Sequence, residues 1–124
     1  MAKVLLVEDT EEMQRMYAFG LQKEGFEVVT ANSGGEALAR MDEDHFEIIL
    51  LDMMLGGMSG LDFLKEYDVK TKSPGTKVVV FTNLDNPNIK ARIEAVGVDG
   101  YLNKSNYEPK QLADYLKQLL ATAA

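Results

Sequence analysis

The sequence predicts an α/β fold in which five parallel strands form one sheet with helices on both faces. Short apolar runs rich in β-branched residues alternate along the chain with stretches whose apolar residues recur every three or four positions. Three runs, at residues 4–7, 46–51 and 78–81, are apolar without alternation, as is typical of strands covered on both faces. Strict alternation of strands and helices requires right-handed crossovers and therefore a doubly wound sheet.

The strands are expected at the apolar runs, which are residues 4–7, 26–30, 46–51, 78–81 and 101–102. Between the first two runs, helical spacing predicts a first helix whose stripe is Met13, Met16, Tyr17, Gly20 and Leu21. Gly25 is expected to end this helix. Phe19 is expected to pack within the fold rather than to bind a partner.

The other four helices are marked by capping residues and shorter stripes. Ser33, with Glu36 three residues later, predicts the start of the second helix. The third follows Gly60, Gly97 ends the fourth, and Pro109 suits the first turn of the fifth. Their stripes are Leu61, Phe63 and Leu64, then Ile89, Ile93 and Val96, then Leu112, Leu116, Leu119 and Leu120. Residues 71–75 are expected to form a loop.

Length and composition restrict the classes of protein that this chain can represent. Its 124 residues, 46% apolar and 27% charged, suit one domain at 1–124 without an output domain. Cysteine is absent, and no apolar run approaches the ~20 residues of a membrane span, so we expect a cytoplasmic protein. The net charge of −7 disfavours nucleic acid and anionic membranes as partners.

Polar side chains directly follow the strands, at the edge where open parallel sheets bind ligands. These side chains, which we expect at one rim, are Glu8, Asp9, Asp52, Thr82 and Lys104. Taken singly, Asp9 can cap the first helix with Glu12 at its third position, and Asp52 can cap a turn. Thr82 suits a strand end, and Lys104 can be an ordinary solvated lysine.

Taken together, the rim residues predict a site for phosphoryl transfer. Three carboxylates repel one another, and a Mg²⁺ ion with oxygen ligands, together with Lys104, balances their charge. A cation, a lysine and the Thr82 hydroxyl around one carboxylate can stabilise the oxygens of a transferring phosphoryl group while that carboxylate attacks.

Five motifs occur in a fixed order, at residues 4–9, 48–54, 57–60, 79–82 and 97–104. They resemble the receiver domain of two-component response regulators, and the resemblance runs from Lys3 to Leu120. It implies a flavodoxin-like sheet with strand order 2-1-3-4-5 and a single receiver domain. Asp52 is then the acceptor of a phosphoryl group from a sensor histidine kinase or a histidine phosphotransfer protein. Glu8, Asp9, Asp52 and the backbone carbonyl of Met54 would hold Mg²⁺.

The resemblance also implies a switch rather than a turnover enzyme. Thr82 would bond the phosphoryl group, Lys104 would pair with it, and Tyr101 is the aromatic that moves inward when Thr82 moves. A downstream protein would bind the changed face of the fourth helix, fifth strand and fifth helix, with the chain a monomer or a weak phosphorylation-dependent dimer. Residues expected on that face are Ile89, Lys90, Ile93, Tyr101, Lys104 and Tyr107.

Some positions differ from the family pattern. Gly56 stands where Pro is common, which should loosen the loop after Asp52. Ser105 replaces a Pro that follows a cis bond, so either the Lys104–Ser105 bond is trans and Lys104 is aimed differently, or strain is stored there. Met54 and Leu84 occupy positions where polar side chains accompany rapid phosphate loss, which predicts a long-lived phosphoryl state.

Three other interpretations stay open on sequence grounds. A flavodoxin-like cofactor binder would share the fold, although the acidic segment 8–10 would repel a flavin phosphate. A haloacid-dehalogenase-like phosphatase would need a second Asp where Met54 stands. A degenerate receiver would keep the fold as a phosphorylation-independent interaction module, although the complete set of rim residues disfavours it.

Overall fold

The computed structural model describes residues 2–122 and contains one parallel sheet of five strands in the order β2-β1-β3-β4-β5. The strands are β1 (Lys3–Val7), β2 (Glu27–Ala31), β3 (Ile48–Leu51), β4 (Lys77–Thr82) and β5 (Gly100–Asn103). The helices are α1 (Glu11–Lys23), α2 (Gly34–Glu43), α3 (Gly60–Glu66), α4 (Val69–Lys72), α5 (Pro87–Val96) and α6 (Pro109–Ala121). The predicted fold class and strand order are confirmed.

The apolar strands are buried because both faces of the sheet are covered. On one face, Leu5, Ile49 and Val80 belong to a core with side chains of α2, α3 and α5. On the other face, Leu6, Leu50 and Val79 pack with side chains of α1 and α6. Successive residues of a strand point to opposite faces, so an uninterrupted apolar run supplies both cores.

Within residues 2–122 the structure has six α-helices, one more than the sequence predicts. Residues 71 and 72, expected to be loop, form the last turn of α4, and only residues 73–76 separate that helix from β4. Asp68 caps α4 by accepting a hydrogen bond from the Thr71 amide, and Val69 is buried against the first core. The loop prediction was wrong for Thr71 and Lys72 because this capping carboxylate outweighs the turn-forming residues that follow.

The outer surface of α1 also differs from the prediction. Met16 is 44% exposed and Phe19 is 63% exposed, whereas Gln14 is buried on the face that packs against the sheet. The predicted packing role of Phe19 was therefore wrong, as was the burial of Met16. Similarly, Ile93 lies on the buried side of α5 and does not belong to the exposed face on which the sequence predicts it.

No helix among residues 2–122 has both the length and the hydropathy of a membrane-spanning segment.

Gly60 lies where α3 begins directly against the carboxyl end of β3. A Cβ at this position would clash with the backbone oxygen of Asp52 and would lie 2.9 Å from Met53 Cα. A glycine is therefore needed for α3 to approach the strand end that carries Asp52.

We expect Gly60→Ala to lower the free energy of unfolding by about 1–3 kcal/mol, because backbone atoms cannot yield to the new methyl group. Gly35→Ala in α2 is the matched control, since its Cβ would meet only Ser33 Oγ at 4.0 Å. The control should be stabilised by up to about 1 kcal/mol through helix propensity. Urea unfolding of both variants provides the measurement, and equal effects would contradict the assigned close contact.

Candidate functional site

The carboxyl ends of the strands bring the predicted rim residues together. Val7, Leu51 and Val80 lie in register on β1, β3 and β4, so the chain leaves the sheet at neighbouring points. Glu8 and Asp52 follow two of these strands, Thr82 ends β4, and Lys104 follows β5. Four residues separated by up to 96 positions along the chain therefore meet in one buried cluster.

Lys104 lies at the centre of this cluster and is only 9% exposed. Its Nζ forms ion pairs with Glu8 and with Asp52 Oδ2, the latter at 2.7 Å. Burial opposes the charge of Lys104, but the hydrogen bonds that its ammonium donates to the carboxylates of Asp52 and Glu8 outweigh burial and raise the pKa of the lysine above its usual 10.5. The stabilisation from this ammonium is therefore complete below pH 10.5 and is lost as the pH rises through the higher folded pKa.

Asp52 accepts hydrogen bonds at both carboxylate oxygens. Oδ1 accepts from the Thr82 hydroxyl at 2.7 Å and from the Met54 amide at 3.0 Å, while Oδ2 faces Lys104. The bond from Met54 shows that Asp52 does cap a turn, but the turn coexists with the contacts to Thr82 and Lys104. The carboxylate is thus fixed in orientation before any ligand arrives.

Thr82 connects Asp52 to the loop that leads into α5. While its hydroxyl donates to Asp52, the same oxygen accepts a hydrogen bond from the Leu84 amide at 3.2 Å. Tyr101 then donates its hydroxyl to the Leu84 carbonyl at 3.1 Å. Three hydrogen bonds therefore join the carboxylate to the half-buried Tyr101 ring on β5.

Asp9 differs from its neighbours because it is exposed to solvent. It does not cap α1, whose N-cap residue is Thr10 without a side-chain hydrogen bond. Instead, Asp9 Oδ2 accepts the backbone amide of Gly56 at 3.1 Å. The capping interpretation of Asp9 was therefore wrong, and its carboxylate remains at the mouth of the site.

The donor set fits a hard divalent cation. One carboxylate oxygen from each of Glu8, Asp9 and Asp52 lies within 4.8 Å of the others. The ligands of an octahedral Mg²⁺ are about 2.9 Å apart when adjacent and about 4.2 Å apart when opposite, so these side chains would have to move closer together to share one ion. The three carboxylates contribute three negative charges, and Lys104 offsets one of them. The remaining charge of −2 equals in magnitude the charge of one divalent cation.

The Lys104–Ser105 bond is trans, since residues 2–122 contain no cis peptide bond. Lys104 nevertheless contacts Asp52, so the trans bond does not aim the lysine away from the site. Asn103 accepts the Ser105 amide at 2.9 Å and caps the short 3₁₀ turn Lys104–Asn106. This local turn holds the lysine in place.

Gln14 is a supporting residue that the sequence analysis missed. Its side-chain amide donates to the Glu8 carbonyl at 3.0 Å, the Ala31 carbonyl at 3.3 Å and Asn32 Oδ1 at 2.8 Å. These bonds fix the backbone at Glu8 relative to the end of β2. The signal for it was a polar residue within the apolar face of α1, between Met13 and Tyr17.

We expect Lys104→Met to lower the free energy of unfolding by about 3 kcal/mol at neutral pH without divalent cations, because two buried carboxylates lose their shared cation. Lys110→Met is the control: its exposed ammonium lies 3.7 Å from Glu24 and should contribute under about 1 kcal/mol. Chemical denaturation in the presence of a chelator measures both. Equal losses would show that Lys104 behaves as a surface lysine.

Comparison with known proteins agrees with this geometry. The family model for the response regulator receiver domain matches residues 4–117. The sensory transduction protein RegX3 of Mycolicibacterium smegmatis is 36% identical over 124 residues, which are 100% of this chain and 53% of RegX3. The chain thus spans about half the length of the curated relatives it matches.

Solved structures give the same result. The chemotaxis protein CheY4 of Vibrio cholerae is 34% identical with a TM-score of 0.86, covering 96% of this chain and 98% of CheY4. The response regulator TrrA of Thermotoga maritima, solved in complex with Mg²⁺-BeF, is 27% identical with a TM-score of 0.81, covering 96% of this chain and 99% of TrrA. With the family model matching nearly its whole length, the chain belongs to the receiver domain family of response regulators.

Proposed function

We propose that this chain is the phosphoacceptor of a His-Asp phosphorelay and that Asp52 receives the phosphoryl group. The observation that carries the proposal is the double contact of the Asp52 carboxylate, 2.7 Å from Lys104 Nζ and 2.7 Å from the Thr82 hydroxyl. The ammonium and the hydroxyl can both stabilise negative charge on the oxygens of a phosphoryl group that is transferred to this carboxylate. The donor is a phosphohistidine on a sensor histidine kinase or a phosphotransfer protein in the cytoplasm.

In the transfer step, an Asp52 oxygen forms a bond to phosphorus while the bond between phosphorus and the histidine nitrogen breaks. The nitrogen keeps the electron pair, and Asp52 becomes an acyl phosphate. Lys104 then pairs with the phosphoryl oxygens, and Thr82 donates its hydroxyl to one of them. Mg²⁺, held by Glu8, Asp9, Asp52 and the backbone carbonyl of Met54, would offset charge as the two anions approach.

The same contacts supply a route from the acceptor to the surface. When the Thr82 hydroxyl turns to the phosphoryl group, its bond to the Leu84 amide changes, and with it the loop that Tyr101 holds. The surface of α5, β5 and α6 changes in response and is recognised by a downstream protein. Lys90 Nζ lies 5.3 Å from the centre of the Tyr101 ring, so a movement of Tyr101 would alter the environment of this exposed lysine.

The phosphohistidine donor is proposed to dock on α1. Met13 lines the mouth above Asp52, and the exposed Met16 and Phe19 continue from it along the outer surface of the helix. Lys104 lines both this mouth and the groove beside Met16, so the two surfaces are continuous. A donor must cover the mouth to reach Asp52, and these side chains provide adaptable apolar contact beside it.

The acceptor is tested by intact mass after incubation with acetyl phosphate. We expect a Mg²⁺-dependent gain of one phosphoryl group in the wild-type chain and none in Asp52→Asn. Asp114→Asn, which changes an exposed carboxylate on α6, is the matched control and should be labelled like the wild type. Labelling of Asp52→Asn to the wild-type level would refute the assignment of the acceptor.

The lifetime of the phosphoryl group is expected to be long. The apolar Met54, which is 56% exposed, and Leu84 offer no polar group to orient an attacking water molecule. The combined replacement Met54→Asn and Leu84→Glu should raise the rate of phosphoryl loss about tenfold or more. The reason is that a polar side chain acting on the attacking water can accelerate hydrolysis by a factor of ~10². Rapid loss in the wild type that the replacement leaves unchanged would defeat the prediction.

Docking on α1 is tested with two donors. The first donor is a phosphorylated histidine kinase that labels the wild type. With this donor, Phe19→Ala should lower the transfer rate about tenfold, as expected for a moderately important interface residue. Transfer from acetyl phosphate should remain within about twofold, since no docking is involved and Phe19 is not at the reacting atoms. A parallel fall with both donors would assign the loss to misfolding or altered chemistry instead.

A further inference from the structure

We propose that the backbone amide of Gly56 is a positioning group for Asp9, and that it couples cation binding to the loop at residues 53–59. The inference rests on the proposed function, because it takes Glu8, Asp9 and Asp52 as the ligands of the cation. The Gly56 amide orients the exposed ligand Asp9, so the loop moves when Asp9 moves toward the cation.

The three carboxylates are held in very different ways. Glu8 pairs with Lys104 through one oxygen and accepts the Thr10 amide at 3.1 Å through the other. Asp52 is fixed by the Thr82 hydroxyl, by the Met54 amide and by Lys104. Asp9, within the described residues 2–122, accepts only from the Gly56 amide. The orientation of this ligand therefore depends on a single hydrogen bond.

That hydrogen bond leaves the other oxygen of the carboxylate available. The Gly56 amide donates to Oδ2 of Asp9, and no protein donor to Oδ1 is present within residues 2–122. An N–H group that binds one oxygen of a carboxylate restricts rotation about the Cβ–Cγ bond.

The loop that carries Gly56 is anchored at both ends but joined to Asp9 only in its middle. At the start, Met54 donates to Asp52, and at the end Gly60 donates to the Met53 carbonyl at 3.2 Å. Between them, Gly57 has a positive φ of 79°, and both Gly56 and Gly57 are exposed. A displacement of Asp9 toward a cation is therefore transmitted to this loop through the Gly56 amide.

Position 56 offers a matched pair of variants. Gly56→Pro removes the N–H group, since proline has no amide hydrogen to donate. Gly56→Ala retains it, and the added Cβ would lie 3.9 Å from Asp9 Oδ2, an ordinary contact. Comparison of the two separates the hydrogen bond from the general loss of glycine flexibility.

The test is the Mg²⁺ dissociation constant of the full chain, measured by calorimetry without any phosphodonor. Gly56→Ala should bind within about twofold of the wild type. Gly56→Pro should bind roughly five- to tenfold more weakly, as expected when a charge-assisted hydrogen bond is lost. Equal binding by the Pro and Ala variants, or tighter binding by the Pro variant, overturns the inference.

A second measurement avoids any change in the loop. In the wild type without metal, the Gly56 amide proton should exchange more slowly and resonate further downfield than in Asp9→Ala, where its acceptor is absent. Identical Gly56 signals in the two proteins overturn the inference even if Gly56→Pro fails to fold. Failure of the wild type itself to bind Mg²⁺ at millimolar concentration would instead overturn the proposed cation site.

Discussion

The contact of Lys104 with two buried carboxylates is the interaction on which the rest of the site depends. Glu8 and Asp52 leave adjacent strands at the same edge of the sheet, and their charges would repel each other without the shared ammonium. Asp9 adds a third negative charge at the mouth, and no ion pair within residues 2–122 involves its carboxylate. The cluster therefore folds with an excess of two negative charges and is suited to a divalent cation and then to an incoming phosphoryl group.

Much of the architecture follows from the burial of the strands on both faces. The apolar runs of β1, β3 and β4, in alternation with the helical stretches, predicted the doubly wound sheet, because strands covered on both faces have continuous apolar runs. The errors arose where one side chain decides the local structure. Asp68 caps a short helix within a segment rich in turn residues, and Gln14 occupies the inner face of α1 while Phe19 turns to solvent. Periodicity identifies that a helix has a buried face, but not which polar side chain on that face finds backbone partners.

The site shows a similar division. Its five side chains were predictable, because residues that follow parallel strands must share one edge, and the structure brings Glu8, Asp52, Thr82 and Lys104 into direct contact. The backbone donors were not predictable, because every residue except proline carries the same amide. The bonds of Met54 to Asp52 and of Gly56 to Asp9 depend on how the loop folds. The trans bond before Ser105 shows likewise that more than one backbone conformation can deliver Lys104 to Asp52.

We propose that one divalent cation completes the carboxylate cluster. The most direct test is calorimetric titration of metal-free wild-type chain and of Asp52→Asn with Mg²⁺. The charge balance of the cluster predicts one Mg²⁺ per wild-type chain and clearly weaker binding after one ligand charge is removed. Absence of saturable binding in the wild type, or equal affinity in both proteins, would contradict this cation site.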